Sequence, residues 1–148
     1  MLLVIIHKKM ADEASLRFEV GSPIPYTVAN ATAITKGAVL ALTDPMTAAA
    51  VVADNDVVAG IAAADKIASD GVTKLSVYRS GYFVMTGSGN ITAGDPVRLI
   101  GGSNRVLTAV ATITLSGSRI LGTAMETATN GETLVVEVRP THAFVTGT

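Results

Sequence analysis

Short apolar runs separated by turn residues follow one another along the whole chain. Segments such as Tyr26–Val28, Val72–Tyr78 and Thr133–Arg139 are rich in β-branched and aromatic residues and predict strands. Asn130-Gly131 stands between two such runs and predicts a tight hairpin. Turn residues at intervals of about eight to twelve positions, with no long helical pattern, are typical of an all-β sandwich or barrel.

Three details of this pattern are specific enough to be compared with a structure. The apolar residues of Ala64–Ala68 are spaced for one face of a helix of one or two turns, which is the only helix we expect. Arg105–Leu115 predicts one long or bent strand. Pro140 is expected to end the last strand because proline lacks the N–H that a sheet requires, so that residues 141–148 form a C-terminal tail.

The residue pattern of Ile34–Arg79 recurs in Ile91–Arg139 as an internal repeat. A nearly fixed period with the glycines in register indicates two similar β-units, about 26–80 and 81–140, within one β domain of residues 26–140. Glycine is needed where the backbone takes a positive φ or passes close to another strand, so the repeated glycines are predicted to be structural turn residues. The matched pairs are Gly37 with Gly94, Gly60 with Gly122 and Gly71 with Gly131.

Residues 1–25 lie outside the repeat and are predicted to form an extended N-terminal arm. Pro23 and Pro25 keep the end of this arm extended, because both fix φ and disfavour helix in the residue before them. The apolar tip Leu2–Ile6 is expected to pack either on its own domain or on a partner. The second methionine, Met10, leaves a third alternative, in which residues 1–9 are an upstream extension without a role. Five residues are too few to cross a bilayer, which needs about 20.

The second half of the arm alternates apolar and charged residues. Leu16, Phe18 and Val20 are therefore expected on one face of a strand, and Arg17 and Glu19 on the other.

Composition limits the classes of function. The chain has 148 residues, which suits one domain, and only 16% of them are charged, with a net charge of −1. Without a basic stripe, the electrostatic footprint of a nucleic-acid-binding protein is missing. The sequence contains no cysteine, which excludes disulfides and thiolate chemistry.

Residue chemistry gives no catalytic constellation. The two histidines, His7 and His142, lie in terminal segments, and neither cysteine nor a paired-histidine spacing accompanies them. Asp54–Asp56 begins like a calcium loop but lacks the glycine and the distal glutamate of that motif. Gly87–Gly89 is glycine-rich, yet no Lys-Ser or Lys-Thr follows it, as a phosphate-binding loop requires. We therefore expect no enzyme activity, no metal and no cofactor.

Four glycine-bearing pieces follow the proline-bearing arm in a characteristic order: Ile34–Val39, Val58–Ala62, Ile91–Val97 and Ile120–Ala124. Together they resemble the head decoration, or capsid cement, proteins of tailed bacteriophages. The resemblance covers roughly Ile24–Arg139.

This resemblance implies a compact tulip- or barrel-like β domain on the outer surface of an icosahedral head. Proteins of this family bind the major capsid protein, commonly as homotrimers, and hold neighbouring capsomers together against internal pressure without catalysis. The implied location is the virion, after synthesis in the host cytoplasm. Neither nucleic acid nor membrane is an implied partner.

The arm is the predicted attachment element, because the repeated units do not need it to close their core. A strand that adds to the edge of a capsid sheet gains main-chain hydrogen bonds, and three arms on one trimer bind more tightly than one. The predicted capsid-contacting residues are Leu16, Arg17, Phe18, Glu19, Val20, Pro23, Ile24 and Pro25.

Two other classes of protein remain open from the sequence. One is a small-molecule-binding β-barrel, or an accessory domain like that of a sugar-acid dehydratase, which predicts a concave pocket with convergent polar groups. The other is a module of a cell-surface β-protein.

Overall fold

The computed structural model describes residues 12–51, 56–100, 102–109 and 119–142, and these contain eleven β-strands and no helix. The all-β, barrel-containing fold expected from the sequence is therefore confirmed. The strands are β1 Ser15–Glu19, β2 Ile24–Thr27, β3 Val39–Asp44, β4 Thr47–Ala50, β5 Val58–Ala62, β6 Lys74–Tyr78, β7 Gly81–Thr86, β8 Pro96–Leu99, β9 Val106–Thr108, β10 Arg119–Ala124 and β11 Thr133–His142.

Five strands of the first half close into a barrel in the order β2-β4-β3-β5-β6. Every neighbouring pair is antiparallel except β2 and β4, which run parallel and meet at Thr27 and Thr47. The interior is filled by side chains such as Tyr26, Leu40 and Val77, with alanines between them. Small residues suit a five-stranded barrel because its walls lie close together.

The other six strands form an antiparallel sheet in the order β1-β7-β11-β10-β8-β9. Alternate residues of this sheet, including Phe83, Leu121 and Val136, are at most 1% exposed and form the larger of two core clusters. The sheet covers one side of the barrel, since Val39 and Ile61 from the barrel wall belong to the same cluster.

The first half of β3, Val39–Ala41, and the whole of β5 are buried on both faces and join the two cores. In β3, Val39 and Ala41 pack in the larger cluster, whereas Leu40 between them faces the barrel interior. All five residues of β5 are buried. A strand covered on both faces has no polar positions, which explains the unbroken apolar sequence of Val58–Ala62.

Equivalent hydrogen bonds recur in the two halves of the chain. The N–H of Gly37 donates to Ala62 O at 2.9 Å, and that of Gly94 donates to Ala124 O at 2.7 Å. An isolated bridge joins Ile34 to Lys66 in the first half and Ile91 to Ala128 in the second. These shared bonds support the predicted repeat, whose boundaries near 26–80 and 81–140 stay a prediction.

Glycine is required at Gly60 and Gly122 because another strand's backbone passes too close for a side chain. A Cβ atom would collide with the carbonyl oxygen of Tyr78 at Gly60 and with that of Glu137 at Gly122. Strands β5 and β10 therefore approach β6 and β11 in the same way. The other four predicted turn glycines have positive φ: Gly37 at 89°, Gly71 at 82°, Gly94 at 94° and Gly131 at 87°.

The short helix expected at Ala64–Ala68 is wrong. Lys66 instead makes two main-chain hydrogen bonds with Ile34, at 3.0 and 2.7 Å, so the segment is held extended against the start of the repeat. Helical spacing over five residues is a weak signal, and the tertiary pairing overrides it.

Of the predicted strand Arg105–Leu115, β9 covers Val106–Thr108, and residues 110–118 lie outside the described residues.

Pro140 does not end the last strand, which continues through it to His142. The pairing shifts there, because Gly122 lies opposite Val138 while Ile120, two residues earlier, lies opposite Thr141. Strand β11 thus carries one extra residue at a β-bulge, where a missing N–H is tolerated. The tail predicted for 141–148 loses its first two residues to the sheet.

Substituting Gly122→Ala is expected to lower the free energy of unfolding by about 3 kcal/mol, since the new methyl group can only be accommodated by moving main chain. Gly87→Ala is the matched control. Its Cβ would meet the flexible Cδ1 of Ile91 at 3.3 Å and make ordinary van der Waals contacts of 3.6 Å with Glu132 O and Leu134 Cδ2, so a loss of about 1 kcal/mol or less is expected. Urea unfolding measures both variants, and equal losses would contradict the close approach.

Candidate attachment surface

The predicted attachment segment begins with β1, which lies at one edge of the six-stranded sheet. Its only partner among the described strands is β7, so one side of its backbone faces outward. All five of its residues, Ser15–Glu19, are exposed. An exposed edge strand with apolar side chains is a surface that proteins normally avoid unless a partner covers it.

A β-bulge at Arg17 changes which side chains of β1 lie together. Leu16 is opposite Phe83, and Phe18 is opposite Tyr82, so Arg17 is the extra residue. Paired residues share a face, and Phe83 is a core residue, whereas Tyr82 lies on the outer face of the sheet. The expectation that Leu16 and Phe18 share one face is therefore wrong, because the strict alternation on which it rested is broken.

Phe18 is the most exposed aromatic side chain that the structure describes, with 62% of its surface exposed. Its ring meets that of Tyr82 edge to face, with 6.2 Å between the centroids and 79° between the planes. The guanidinium of Arg17 lies 6.0 Å from the Phe18 centroid. Such contacts hold an aromatic ring in place before any partner arrives, which lowers the ordering cost of binding.

Further along the predicted arm, the chain crosses from the sheet to the barrel. Val20, at 60% exposed, follows β1 directly. Ile24 and Pro25 then begin β2 opposite Val77 and Ser76 of the barrel wall. The structure therefore places the eight predicted contact residues on two adjacent elements, with Pro23 in the link between them. Whether they touch a capsid stays a prediction.

The residues just before β1 are anchored to the fold. Ala14 is buried, and its N–H donates to Gly37 O at 2.9 Å. Asp12 pairs with Arg105 before β9, with 2.8 Å between Oδ2 and Nε. A hydrogen bond from the Arg105 guanidinium holds the pKa of the Asp12 carboxyl below its ordinary value, although partial burial opposes this. Strand β1 thus has a fixed position on the molecule.

Exposed large apolar side chains are concentrated in few places among the described residues. Four of eight lie in the predicted attachment segment and two in the loop between β5 and β6. The first group is Leu16, Phe18, Val20 and Ile24, and the second is Ile67 and Val72, while Met46, in the turn between β3 and β4, and Met125 stand apart.

Polar side chains in the described residues mostly support turns. The Oδ1 of Asp70 accepts from Val72 N at 2.9 Å, and the Oδ2 of Asp95 accepts from Thr92 N at 3.0 Å. No group of three or more metal-ligating side chains occurs within the described ranges. His7 and Asp54-Asn55 fall outside them, while His142 is the last residue of β11.

One small cleft lies where the loop before β9 meets β3. Its volume is about 30 Å³, and its lining includes Val39, Ala50 and Asn104. The Oδ1 of buried Asn104 accepts from Val39 N at 3.1 Å, which ties the sheet to the barrel. Ligand sites for small molecules are about ten times larger, so this cleft serves the packing of the two cores.

Sequence reasoning missed two residues that shape the surface. Tyr82 supports Phe18, and only the register of β1 on β7 reveals it. Lys66 is fully buried, and the sequence gives no signal for this beyond its position in the first repeat, where the second has Ala128.

Among the described residues no helix is long and apolar enough to cross a membrane.

The fold and this surface define a small β-rich protein with an exposed, partly apolar edge strand. The family model of the phage cement protein matches residues 18–140 of the chain. Among solved structures, the N base of the head fibre gp8.5 of bacteriophage phi29 is similar, with a TM-score of 0.50 and 17% identity, over 78% of this chain and 92% of that chain. No curated protein matches.

The chain belongs to the phage cement protein family, because the family model covers most of its length. It is thus a capsid-associated structural protein of a phage virion, as the sequence resemblance indicated. At 17% identity the phi29 structure supports the fold alone.

Asp12→Asn is expected to lower the free energy of unfolding by about 0.2–1 kcal/mol at neutral pH, because the pair with Arg105 is partly exposed. The depressed pKa of Asp12 means that its contribution is present above the ordinary carboxyl pKa of about 4 and is lost as the pH falls through the folded-state value. The variant and the parent should therefore converge in stability once the pH lies below the folded-state pKa of Asp12. Thermal unfolding at several pH values measures this, and a difference that persists in acid would contradict it.

Proposed function

We propose that this protein binds the outside of an icosahedral phage head through the β1 surface, contacts the major capsid protein and stabilises the shell. The exposed apolar side chains on the anchored edge strand β1, Phe18 above all, are the observation that carries this proposal. Membership of the phage cement protein family supports the location on the virion. The mechanism is added buried contact, without a chemical step.

The expected energy of such a contact is modest for each copy. Fully burying a side chain like that of Phe18 or Val20 contributes about 1.5–3 kcal/mol before ordering costs. Those costs are reduced here because β1 is already paired and Phe18 already packs on Tyr82. A homotrimer presents three such surfaces at once, and effective concentration then makes the attachment tight.

Side chains carry most of this attachment in our proposal. Strand addition along the free edge of β1 needs a regular ladder, and the bulge at Arg17 interrupts it. Charged residues at positions 17 and 19 also disfavour unspecific pairing of edges. A capsid pocket that accepts the Phe18 ring and contacts Val20 fits this surface better than an added strand.

The alternative of a small-molecule-binding barrel gains no support from the described residues. The barrel interior is occupied by its own side chains, and the cleft beside Asn104 is too small for a metabolite. We therefore keep the capsid-binding function as the single proposal.

Phe18→Ser combined with Val20→Ser tests the proposal. Because both residues are exposed, the variant is expected to fold with a nearly unchanged melting temperature, yet its affinity for expanded, undecorated shells should fall at least about 100-fold, which corresponds to the burial of two apolar side chains. Co-sedimentation with shells measures the affinity.

Met125→Ser is the matched control, since Met125 is an exposed apolar residue away from β1. It should bind shells as the parent does. Normal decoration by the Phe18/Val20 variant would refute attachment through β1, and a lack of shell binding by the parent protein would refute the function itself.

A further inference from the structure

The barrel wall is least complete beside strand β4. Strands β2 and β4 pair only at Thr27 and Thr47, so Ala48–Ala50 have a neighbouring strand, β3, on one side only among the described residues. The last residue of this stretch, Ala50, is exposed. A strand edge of this kind has main-chain N–H and C=O groups that a further strand can pair with.

The small cleft beside Asn104 lies at this same edge. Its lining includes Ile34, Leu40 and Ala50 of the barrel as well as Val51 and Asn104, and is mostly apolar. Its volume is about 30 Å³, whereas a single water needs about 10–15 Å³. The cleft is thus too small for a metabolite but suits the end of one aliphatic side chain.

Two shielded polar groups in this region have no hydrogen-bond partner in the described part of the chain. Asn104 is 4% exposed, and its Oδ1 accepts from Val39 N, but its Nδ2 donates to no acceptor. Both carboxylate oxygens of Glu13, whose Cβ lies close to Gly37, are also shielded from solvent and unpartnered. Because unpaired buried polar groups are costly, the region calls for a segment that offers a carbonyl oxygen and a cation.

The first described residue, Asp12, lies next to this cleft. It is held by Arg105, the chain neighbour of Asn104, with 2.8 Å between Oδ2 and Nε. Residues 1–11 precede it and lie outside the described residues. Six residues of extended chain span about 20 Å, so the stretch that ends at Ile6 is within reach of both the cleft and the β4 edge.

The sequence of this N-terminal segment matches what the edge and the cleft require. Leu2–Ile6 is apolar throughout and ends in three β-branched residues, which favour a strand that is covered on both faces. Lys8 and Lys9 follow it shortly before Glu13. Either ammonium is a suitable partner for a shielded carboxylate, which is stable only when paired.

We propose that Leu2–Ile6 docks on its own molecule as an additional strand along the free edge of β4, with one aliphatic side chain in the cleft. A main-chain carbonyl then accepts from Asn104 Nδ2, and Lys8 or Lys9 pairs with Glu13. The same molecule is the occupant because the covalent link beside the cleft gives the segment an effective concentration that a separate chain lacks. The inference does not rest on capsid attachment, which we assign to β1 on the other sheet.

Hydrogen exchange of the free protein tests the docking without a change in the described fold. Ile5→Asp places a charge in the apolar run and should raise the exchange rate of the outward-facing amides of Ala48–Ala50 at least about tenfold, because the added strand no longer covers them. His7→Asp adds the same charge outside the run and is the matched control. It should leave these amides unchanged, and strand β11 should exchange as in the parent in both variants.

Disulfide trapping locates the segment directly, because the chain has no cysteine of its own. Ala50→Cys is combined in turn with Val4→Cys, Ile5→Cys or Ile6→Cys. Paired residues on neighbouring strands bring their Cα atoms within the roughly 7 Å that a disulfide spans, so one of the three combinations should form a bridge within a single molecule. Met125→Cys replaces Ala50→Cys in the control, where the bridged fraction should be at least about fivefold lower.

Each outcome decides the inference. A bridged monomer that depends on Ala50→Cys supports it. Equal bridging to Met125→Cys means that the segment has no fixed seat, disulfide-linked dimers mean that it docks on another copy, and unbridged chains mean that it lies elsewhere; each of these overturns the inference, as does unchanged exchange in the Ile5→Asp variant. Neither measurement involves shells, so a failure of capsid attachment leaves both results as they are.

Discussion

The fold depends on two strands that serve two cores at once. Strands β3 and β5 send alternate side chains into the barrel interior and into the space under the six-stranded sheet. Val39–Ala41 of β3 and all of β5 are therefore buried and apolar or glycine. Strand β6 comes so close to β5 that Gly60 cannot carry a side chain, and in the other sheet β11 approaches β10 in the same way at Gly122. Burial of apolar area is the dominant stabilising term, and the small residues of these strands let the eleven strands of the described part of the chain pack closely.

Features common to both halves of the chain build the fold, whereas features found in one half only are not needed for it. The repeated hydrogen bonds at Ile34, Gly37, Ile91 and Gly94 recur in both halves and belong to the scaffold. Two features present once, the edge strand β1 with Leu16 and Phe18 and the loop between β5 and β6 with Ile67 and Val72, carry four of the eight exposed large apolar side chains of the described residues. In a family of cement proteins, contact surfaces on a rigid scaffold are what a structural role requires.

Much of this architecture could be predicted from the sequence, because turn glycines and β-branched runs act locally. The strands, the paired glycines and the family followed from such signals. The bulge at Arg17, the passage of β11 through Pro140 and the pairing of Lys66 with Ile34 could not be predicted, because each is decided by the register of a distant strand. For the same reason the attachment segment was expected as an arm with one apolar face, whereas the bulge divides Leu16 from Phe18 and leaves Tyr82 as the support of the exposed ring.

Attachment through β1 is tested most directly by a reconstruction of decorated phage heads by cryo-electron microscopy at a resolution that shows side chains. If β1 is the attachment surface, as we propose, β1 faces the shell, the Phe18 ring and Val20 are inserted against the major capsid protein, and the barrel lies beside them on the outer surface. A reconstruction in which the β1 edge faces solvent, and the shell contacts another part of the chain, would refute attachment through β1.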